Sequence, residues 1–379
     1  MSNLAYLSLY EFLDATARGS LISSNFDAIA TPIMEWVVNG KFITIFSLLF
    51  GLGFSLQIQR ATLSGGAHLW QYLRRILVLM FMGWIHSWFI WWGDILLTYA
   101  VIGLLMIPFR HVSDRVLLIC GVTIAVLPSL IGTYVRALLT TPPDDTVVYA
   151  RALHGFSSGN LGDALSANIA TAKWARANWP LVFFILARFL LGYWAGRKDL
   201  FFATEQNYRT LRRIFYGALA LSLAATTCSY VQSKIIAAYP AISTGTFKVL
   251  IRMMLRAGPL AIGIAYAVGF VLLFNRPAWA SRLRVLVPFG RMALTNYLTQ
   301  SLIGIVLFYG VGIGIGPRFG MISVCVACAL TVALQIWWSQ VWLSHFTQGP
   351  LEWVWRWLTY GRRPQFRMDK GTIGSINRH

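Results

Sequence analysis

Long apolar runs recur along this chain, and they restrict its fold more than any other feature. Nine of them have the length that crosses a bilayer, at approximately residues 42–58, 75–92, 95–109, 115–137, 177–195, 213–232, 257–274, 286–309 and 320–343. Runs of this length are typical of transmembrane α-helices. The sequence therefore predicts an all-α fold, a polytopic membrane helix bundle with about nine spans.

Composition supports a membrane location. Only 12% of the residues are charged, whereas soluble globular proteins carry about 25%. The 16 Trp and 15 Tyr residues fit the aromatic belts at the headgroup level. We expect one helical membrane domain over residues 42–345, preceded by an N-terminal segment (1–41), followed by a basic tail (346–379), and without a separate soluble module.

The net charge of +19 raises the question of nucleic-acid binding. The basic residues form no single stripe, however; they lie in short clusters between the apolar runs, for example Arg74-Arg75, Arg197-Lys198, Arg212-Arg213 and Arg362-Arg363. Such clusters are typical of cytoplasmic loops that face anionic lipid. We therefore expect the lipid bilayer as a partner, and no nucleic acid.

The distribution of basic residues also predicts orientation. The loops after the first, third, fifth and seventh spans are basic, as is the tail, whereas the Gly93-Asp94 turn is acidic and the 138–175 loop is mixed. By the positive-inside rule the tail is cytoplasmic, and Asp94, the 138–175 loop and the N-terminal segment lie outside a bacterial cytoplasmic (inner) membrane. The loop over 233–256 disagrees, because it is basic; it could hold an interfacial helix.

Ionisable residues within spans are costly in lipid and are therefore functional candidates. His86 precedes Asp94 by about two helical turns, and an imidazole held by a carboxylate can act as a general base. The alternative is a packed histidine among tryptophans, with Asp94 capping the next helix. We take His86 and Asp94 as the catalytic candidates.

Four further polar residues are candidates for binding a donor or substrate. Arg188 lies deep in its run and should face a polar interior or an anionic partner. Arg291, Asn296 and Gln300 lie at the start of the eighth span. The alternatives are an inside-boundary cation for Arg291 and interhelical hydrogen bonding for Asn296 and Gln300.

Two other patterns are interpreted as structural. Ser47, Gly51 and Ser55 recur at four-residue spacing in the first span, which predicts a close-packing face. Cys325 and Cys328 have the spacing of a redox or zinc pair, but no second pair or nearby histidine completes a site. We expect no metal.

The chain resembles the YeiB-like bacterial family, the domain of unknown function 418, along nearly its whole length. The resemblance lies in four runs: Gly40-Lys41-Phe42 to Phe50-Gly51-x-Gly53, Gly83-x-x-His86 to Trp92-Gly93-Asp94-Ile95-Leu96, Gly290-Arg291-Met292-Ala293-Leu294-Thr295-Asn296-Tyr297-Leu298, and Phe346 to Thr359. Family members usually begin with Asp-x-x-Arg-Gly and a first helix, about ten helices in all. Here residues Asp14 to Gly19 match this Asp-x-x-Arg-Gly element only loosely, and we expect that first helix to be missing.

More distantly, the family is similar to the transmembrane acyltransferases, which move an acyl group from a cytosolic donor to an acceptor across the membrane. The resemblance implies no bound cofactor, acyl-CoA as co-substrate and an envelope or small-molecule acceptor. It also implies that His86 and Asp94 activate the acceptor and that Arg188 and Arg291 hold anionic donor groups. The alternative functions are a transporter or permease and a non-catalytic membrane scaffold.

Overall fold

Helices make up the regular structure of this protein. The computed structural model describes residues 3–38, 40–63, 67–127, 145–177, 180–201, 204–238 and 245–368. Within these ranges β-pairing is limited to two isolated bridges, Ile22 with Phe319 and Phe346 with Arg367. The predicted all-α fold class is thus confirmed.

Thirteen principal helices position the rest of the described chain. They are α1 (Asp27–Val37), α2 (Lys41–Leu63), α3 (Ala67–Ile85), α4 (Leu96–Leu105), α5 (Asp114–Val126), α6 (Asp145–Ser157), α7 (Leu161–Arg176), α8 (Pro180–Arg197), α9 (Glu205–Ala238), α10 (Gly245–Phe274), α11 (Ala293–Phe308), α12 (Met321–His345) and α13 (Pro350–Tyr360). Shorter helices cover Leu4–Leu7, Ala15–Gly19, Pro277–Leu283 and Val287–Arg291.

Within the described ranges, five helical segments are long and apolar enough to cross a membrane: Lys41–Arg60, Leu69–Ile90, Glu205–Gln232, Met253–Phe274 and Met321–His345. They coincide with the first, second, sixth, seventh and ninth predicted spans. The bent pair of α7 and α8 makes a sixth if it is counted as one span. The third and eighth predictions correspond to the shorter apolar helices α4 and α11. The fourth is described only as far as residue 127, and its remainder lies outside the described residues.

The prediction of a solvent loop over 138–175 is wrong for most of its length. Two helices, α6 and α7, occupy residues 145–176, and their Ala152, Phe156 and Asn168 side chains are buried. Residues 138–144 lie outside the described part. A low density of charged residues identifies lipid-spanning helices. Short helices of mixed polarity lack this signal, and the prediction therefore took them for a loop. Likewise, the described parts of 233–256 extend α9 and α10 and form no separate interfacial helix.

Helices α2 and α8 pack more closely than any side chain larger than glycine would permit. A Cβ added to Gly51 would lie 2.0 Å from the carbonyl oxygen of Phe189, and one added to Gly192 would lie 2.1 Å from that of Leu48. One turn further on, Ser55 faces Gly196. Small residues at four-residue spacing on both helices thus let the backbones touch, and the predicted close-packing face is confirmed.

Two of the basic clusters, Arg74-Arg75 and Arg197-Lys198, lie at one end of the bundle. Trp355 of α13 donates from Nε1 to the Arg75 carbonyl at 3.1 Å. At the junction of α5 and α8, Asp114 lies 2.9 Å from Arg197 and 2.8 Å from Lys198. Eleven residues further along α3 than Arg75, a rise of about 16 Å, the chain reaches His86 at the opposite end.

Candidate functional site

The candidate site begins with a widened helical turn at the end of α3. Residues His86–Ile90 form a π-helix, in which the Trp91 N–H donates to the His86 carbonyl at 2.8 Å. Such turns are rare and occur frequently at functional sites. The buried Asn168 amide of α7 donates to the Ser87 and Trp88 carbonyls at 3.1 and 3.0 Å, so a neighbouring helix supplies the partners that the end of the turn lacks.

The π-turn brings His86 onto Asp94. His86 Nδ1 lies 2.8 Å from Asp94 Oδ1, and both side chains are fully buried. The second carboxylate oxygen accepts the Leu97 N–H at 2.8 Å, so Asp94 caps the start of α4 as the sequence suggested. Tyr297 Oη lies 3.4 Å from Oδ1 and accepts the Ile95 N–H at 3.2 Å. Asp94 therefore orients the imidazole while being held itself.

Ser301 completes this arrangement. Its hydroxyl lies 3.0 Å from His86 Nε2. Ser301 is in the middle of α11, 215 positions from His86 in the sequence. An ionised carboxylate only accepts hydrogen bonds, so Nδ1 carries the proton that faces Asp94, Nε2 is an acceptor, and Ser301 donates. The three side chains form a chain of hydrogen bonds with the connectivity of a Ser-His-Asp triad.

Sequence reasoning missed Ser301, Asn168 and the role of Tyr297. The one signal available was that Tyr297 and Ser301 are four residues apart and so share a helix face. The Tyr297 ring lies 5.3 Å from the His86 ring. No sequence pattern connects that face of α11 to His86.

Arg188 lies in a different part of the interior, between α8 and α2. It is only 1% exposed. Its Nε donates to Thr44 Oγ1 at 2.8 Å and its Nη1 to the Phe184 carbonyl at 2.7 Å, while the buried Nη2 has no hydrogen-bond partner among the described residues. Within those residues no carboxylate pairs with it. This cation has an open hydrogen-bonding position, as an anion site requires.

The other three candidates are engaged elsewhere. Arg291 is exposed and donates to the Thr347 carbonyl at 2.8 Å. Asn296 donates to Ser339 of α12 at 3.0 Å, and Gln300 donates to Gln335 of α12 at 2.7 Å. Both amides thus join α11 to α12, the interhelical alternative recognised from the sequence.

In the described part of the chain, no group of three or more His, Cys, Asp or Glu side chains has the arrangement of a metal site. The Cys325 and Cys328 thiols are partly buried and free of disulfides. The site therefore offers acid–base groups and a hydroxyl rather than a metal cage.

Comparison with known proteins connects the chain to a family. Residues 195–362 match the model described as "Protein of unknown function (DUF418)". The chain is 28% identical over 356 residues to the uncharacterized protein YxaH of Bacillus subtilis, covering 89% of this chain and 83% of the relative.

Two more relatives extend this match. The uncharacterized protein YeiB of Escherichia coli is 28% identical over 357 residues, 88% of this chain and 85% of its own. An uncharacterized 39.9 kDa protein in the amylase 3' region of Bacillus acidopullulyticus is 29% identical over 343 residues, with coverages of 89% and 85%. No solved structure matches. The resemblance to the YeiB-like family inferred from the sequence motifs is thus confirmed, whereas the more distant similarity to acyltransferases stays a prediction.

Proposed function

We propose that this chain, which belongs to the YeiB-like DUF418 family of bacterial proteins, is a membrane acyltransferase with its active centre at His86. One observation carries the proposal: a fully buried histidine whose Nδ1 is held by Asp94 and whose Nε2 faces a hydroxyl. A histidine that acts as a general base needs a ring nitrogen that accepts a hydrogen bond, in a fixed tautomer and within reach of the proton that it removes. This geometry supplies it.

The role of each group follows from its contacts. Asp94 keeps the proton on Nδ1 and stabilises the imidazolium that forms when Nε2 takes a proton from an acceptor hydroxyl. Removal of that proton makes the acceptor oxygen a better nucleophile toward an acyl carbonyl. The surrounding apolar wall strengthens the attraction between imidazolium and carboxylate, because the local dielectric constant is low.

The donor would be an acyl-CoA, whose phosphates are held by a buried arginine. Arg188 supports this assignment, because its Nη2 is unpartnered and no carboxylate neutralises it among the described residues. Arg291 is the weaker donor ligand, since it is exposed and bonded to a backbone carbonyl. We place the protein in the bacterial inner membrane with the basic end, including α13, facing the cytoplasm.

Donor binding is tested with labelled acetyl-CoA titrated against purified protein in detergent. Saturable binding to the wild type that Arg188→Ala loses would support the donor site, with Arg209→Ala as the matched control. Arg209 is an exposed arginine that forms an ion pair with Glu205, four residues earlier. Equal binding by all three proteins would remove Arg188 from the proposal.

Catalysis is tested by the transfer of label to envelope components in membranes. We expect His86→Ala to abolish transfer at unchanged protein level, because the proposal assigns removal of the acceptor proton to His86 Nε2. Normal transfer by His86→Ala would refute the proposal. The orientation is tested separately with a reporter that is active only in the cytoplasm, fused after residue 368.

A transporter is the second candidate, and the open position on Arg188 is the observation that favours it. Against it, Asn296 and Gln300 are occupied by α12, and Pro259 lies within the continuous helix α10. Pro128, the proline of the fourth predicted span, lies outside the described residues. Uptake of an anionic solute by vesicles that is lost with Arg188→Ala but unaffected by His86→Ala would favour transport.

A further inference from the structure

We infer that Ser301 is a nucleophile and that the acyl group passes through a covalent ester on its Oγ before it reaches the acceptor. This inference rests on the proposed function, and it changes the reaction from direct transfer to a two-step exchange. It assigns a residue that neither the motifs nor the comparisons single out.

The direction of the Ser301 hydroxyl is the first argument. Hydroxyls in the interior of a helix commonly bond to the carbonyl one turn back, and several of those described here do so. Thr299 donates to the Thr295 carbonyl at 2.9 Å, Thr331 to that of Ala327 at 2.8 Å, and Ser47 to that of Ile43 at 2.6 Å. Within the described chain Ser301 has one hydrogen-bond partner, and it is the imidazole.

The polarity of the chain of hydrogen bonds is the second argument. Asp94 fixes the proton on Nδ1, so the Nε2 lone pair accepts from Ser301. A serine is a weak nucleophile at its own pKa and becomes active when an adjacent base removes its proton. Ser301 is 2% exposed, and His86 is fully buried. In this structure bulk water therefore has little contact with the Ser301 hydroxyl.

The reaction balances with these groups alone. Ser301 Oγ attacks the thioester carbonyl while its proton passes to His86 Nε2; the new C–O bond forms, the C–S bond breaks, and the thiolate takes the proton from Nε2. In the second step the acceptor hydroxyl gives its proton to Nε2 and attacks the ester. The bond between the acyl carbon and Ser301 Oγ breaks, and Oγ recovers the proton from the imidazolium. Asp94 remains ionised throughout.

Acyl transfer through Ser301 is tested by trapping the intermediate. Purified protein in detergent is mixed with labelled acetyl-CoA without acceptor, quenched in acid and mapped by peptide mass spectrometry. We expect one acetyl group on Ser301 in the wild type, none there in Ser301→Ala or His86→Ala, and an unchanged yield in Ser222→Ala. Ser222 is a matched control because it is a buried serine on another helix, α9.

A second probe separates this inference from the proposed function. A short-chain fluorophosphonate labels activated serines whatever the natural donor is, and we expect it to modify Ser301 in a His86-dependent manner and more slowly in Asp94→Asn. If Ser301→Ala is folded and transfers acetyl groups as fast as the wild type, the inference is overturned while acyl transfer stands. If the fluorophosphonate labels Ser301 but acetyl-CoA never acylates it, the nucleophile stands and the acyl donor is wrong. Absence of both modifications in folded protein overturns the inference.

Discussion

Replacement of Glu352 by alanine should destabilise the bundle measurably, although Glu352 lies far in sequence from the helix that it supports. Its carboxylate accepts the Leu294 N–H at 2.7 Å and the Thr295 N–H at 3.0 Å, and it also accepts the Thr295 hydroxyl. The first amides of a helix have no partner within the helix. Glu352 of α13 thus caps α11 from a distance of 58 residues.

The expected magnitude follows from the groups left behind. Each donor that loses its partner in a buried place costs about 1–3 kcal/mol, and the loss of a negative charge at a helix N-terminus adds about 0.3–1 kcal/mol. The site is partly buried, so water replaces part of the loss. We therefore expect Glu352→Ala to lower the free energy of unfolding by about 2–4 kcal/mol. Glu352→Gln should lower it by about half as much, because one carbonyl acceptor remains.

The assay is reversible unfolding in mixed detergent micelles, followed by tryptophan fluorescence. The matched control is Glu205→Ala, which removes an exposed carboxylate paired with Arg209 and should change stability by less than about 0.5 kcal/mol. A Cβ on Gly349 would lie 2.1 Å from Glu352 Oε2, so Gly349→Ala should displace the carboxylate and destabilise in the same direction. If Glu352→Ala and Glu205→Ala unfold alike, the capping argument is refuted.

Three further outcomes are expected. Gly51→Ala should prevent correct packing or lower the unfolding midpoint strongly, whereas Gly53→Ala, whose added Cβ meets nothing within 4 Å, should leave the midpoint unchanged in the same unfolding assay. Asp94→Asn should lower kcat for acyl transfer by about 10²–10⁴-fold with little change in KM, since the imidazole is then held in the wrong tautomer; equal kcat would contradict this. A hydrogen bond from Lys198 holds the pKa of Asp114 below its usual value. The Asp114 carboxylate therefore stabilises the fold by less than about 1 kcal/mol at this partly exposed site. This stabilisation is present when the pH is above the Asp114 pKa of the unfolded chain, and it is lost as the pH falls through the Asp114 pKa of the folded chain. The difference in free energy of unfolding between the wild type and Asp114→Asn should therefore become smaller as the pH is lowered.

Hydropathy predicted the helical class and the position of most long helices, because the cost of placing charge in lipid keeps charged residues rare in every span. The packing face of Gly51 was equally predictable from its four-residue spacing. The helices over 145–176 were not, since their stability comes from tertiary contacts such as those of Asn168 rather than from composition. The pattern of polar residues therefore fails to predict a helix that is short and only partly apolar.

The candidate site was half predictable. His86 and Asp94 were accessible to reasoning because they lie only eight residues apart in the sequence. Ser301 was not, because its partnership with His86 depends on how α11 packs against the end of α3. Asn296 and Gln300 show the converse: an amide in a span signals a buried hydrogen bond, but the sequence does not say whether the partner is a substrate or another helix.

The π-turn after α3 has a consequence for natural variation. It contains one more residue than an α-helical turn, and each residue turns an α-helix by about 100°. A single deletion among residues 87–90 would tighten the turn and carry Asp94 out of reach of the imidazole, whatever side chains remained. Among relatives, residues 87–90 should accept substitutions far more readily than insertions or deletions. An insertion here should abolish activity as completely as the loss of His86 itself.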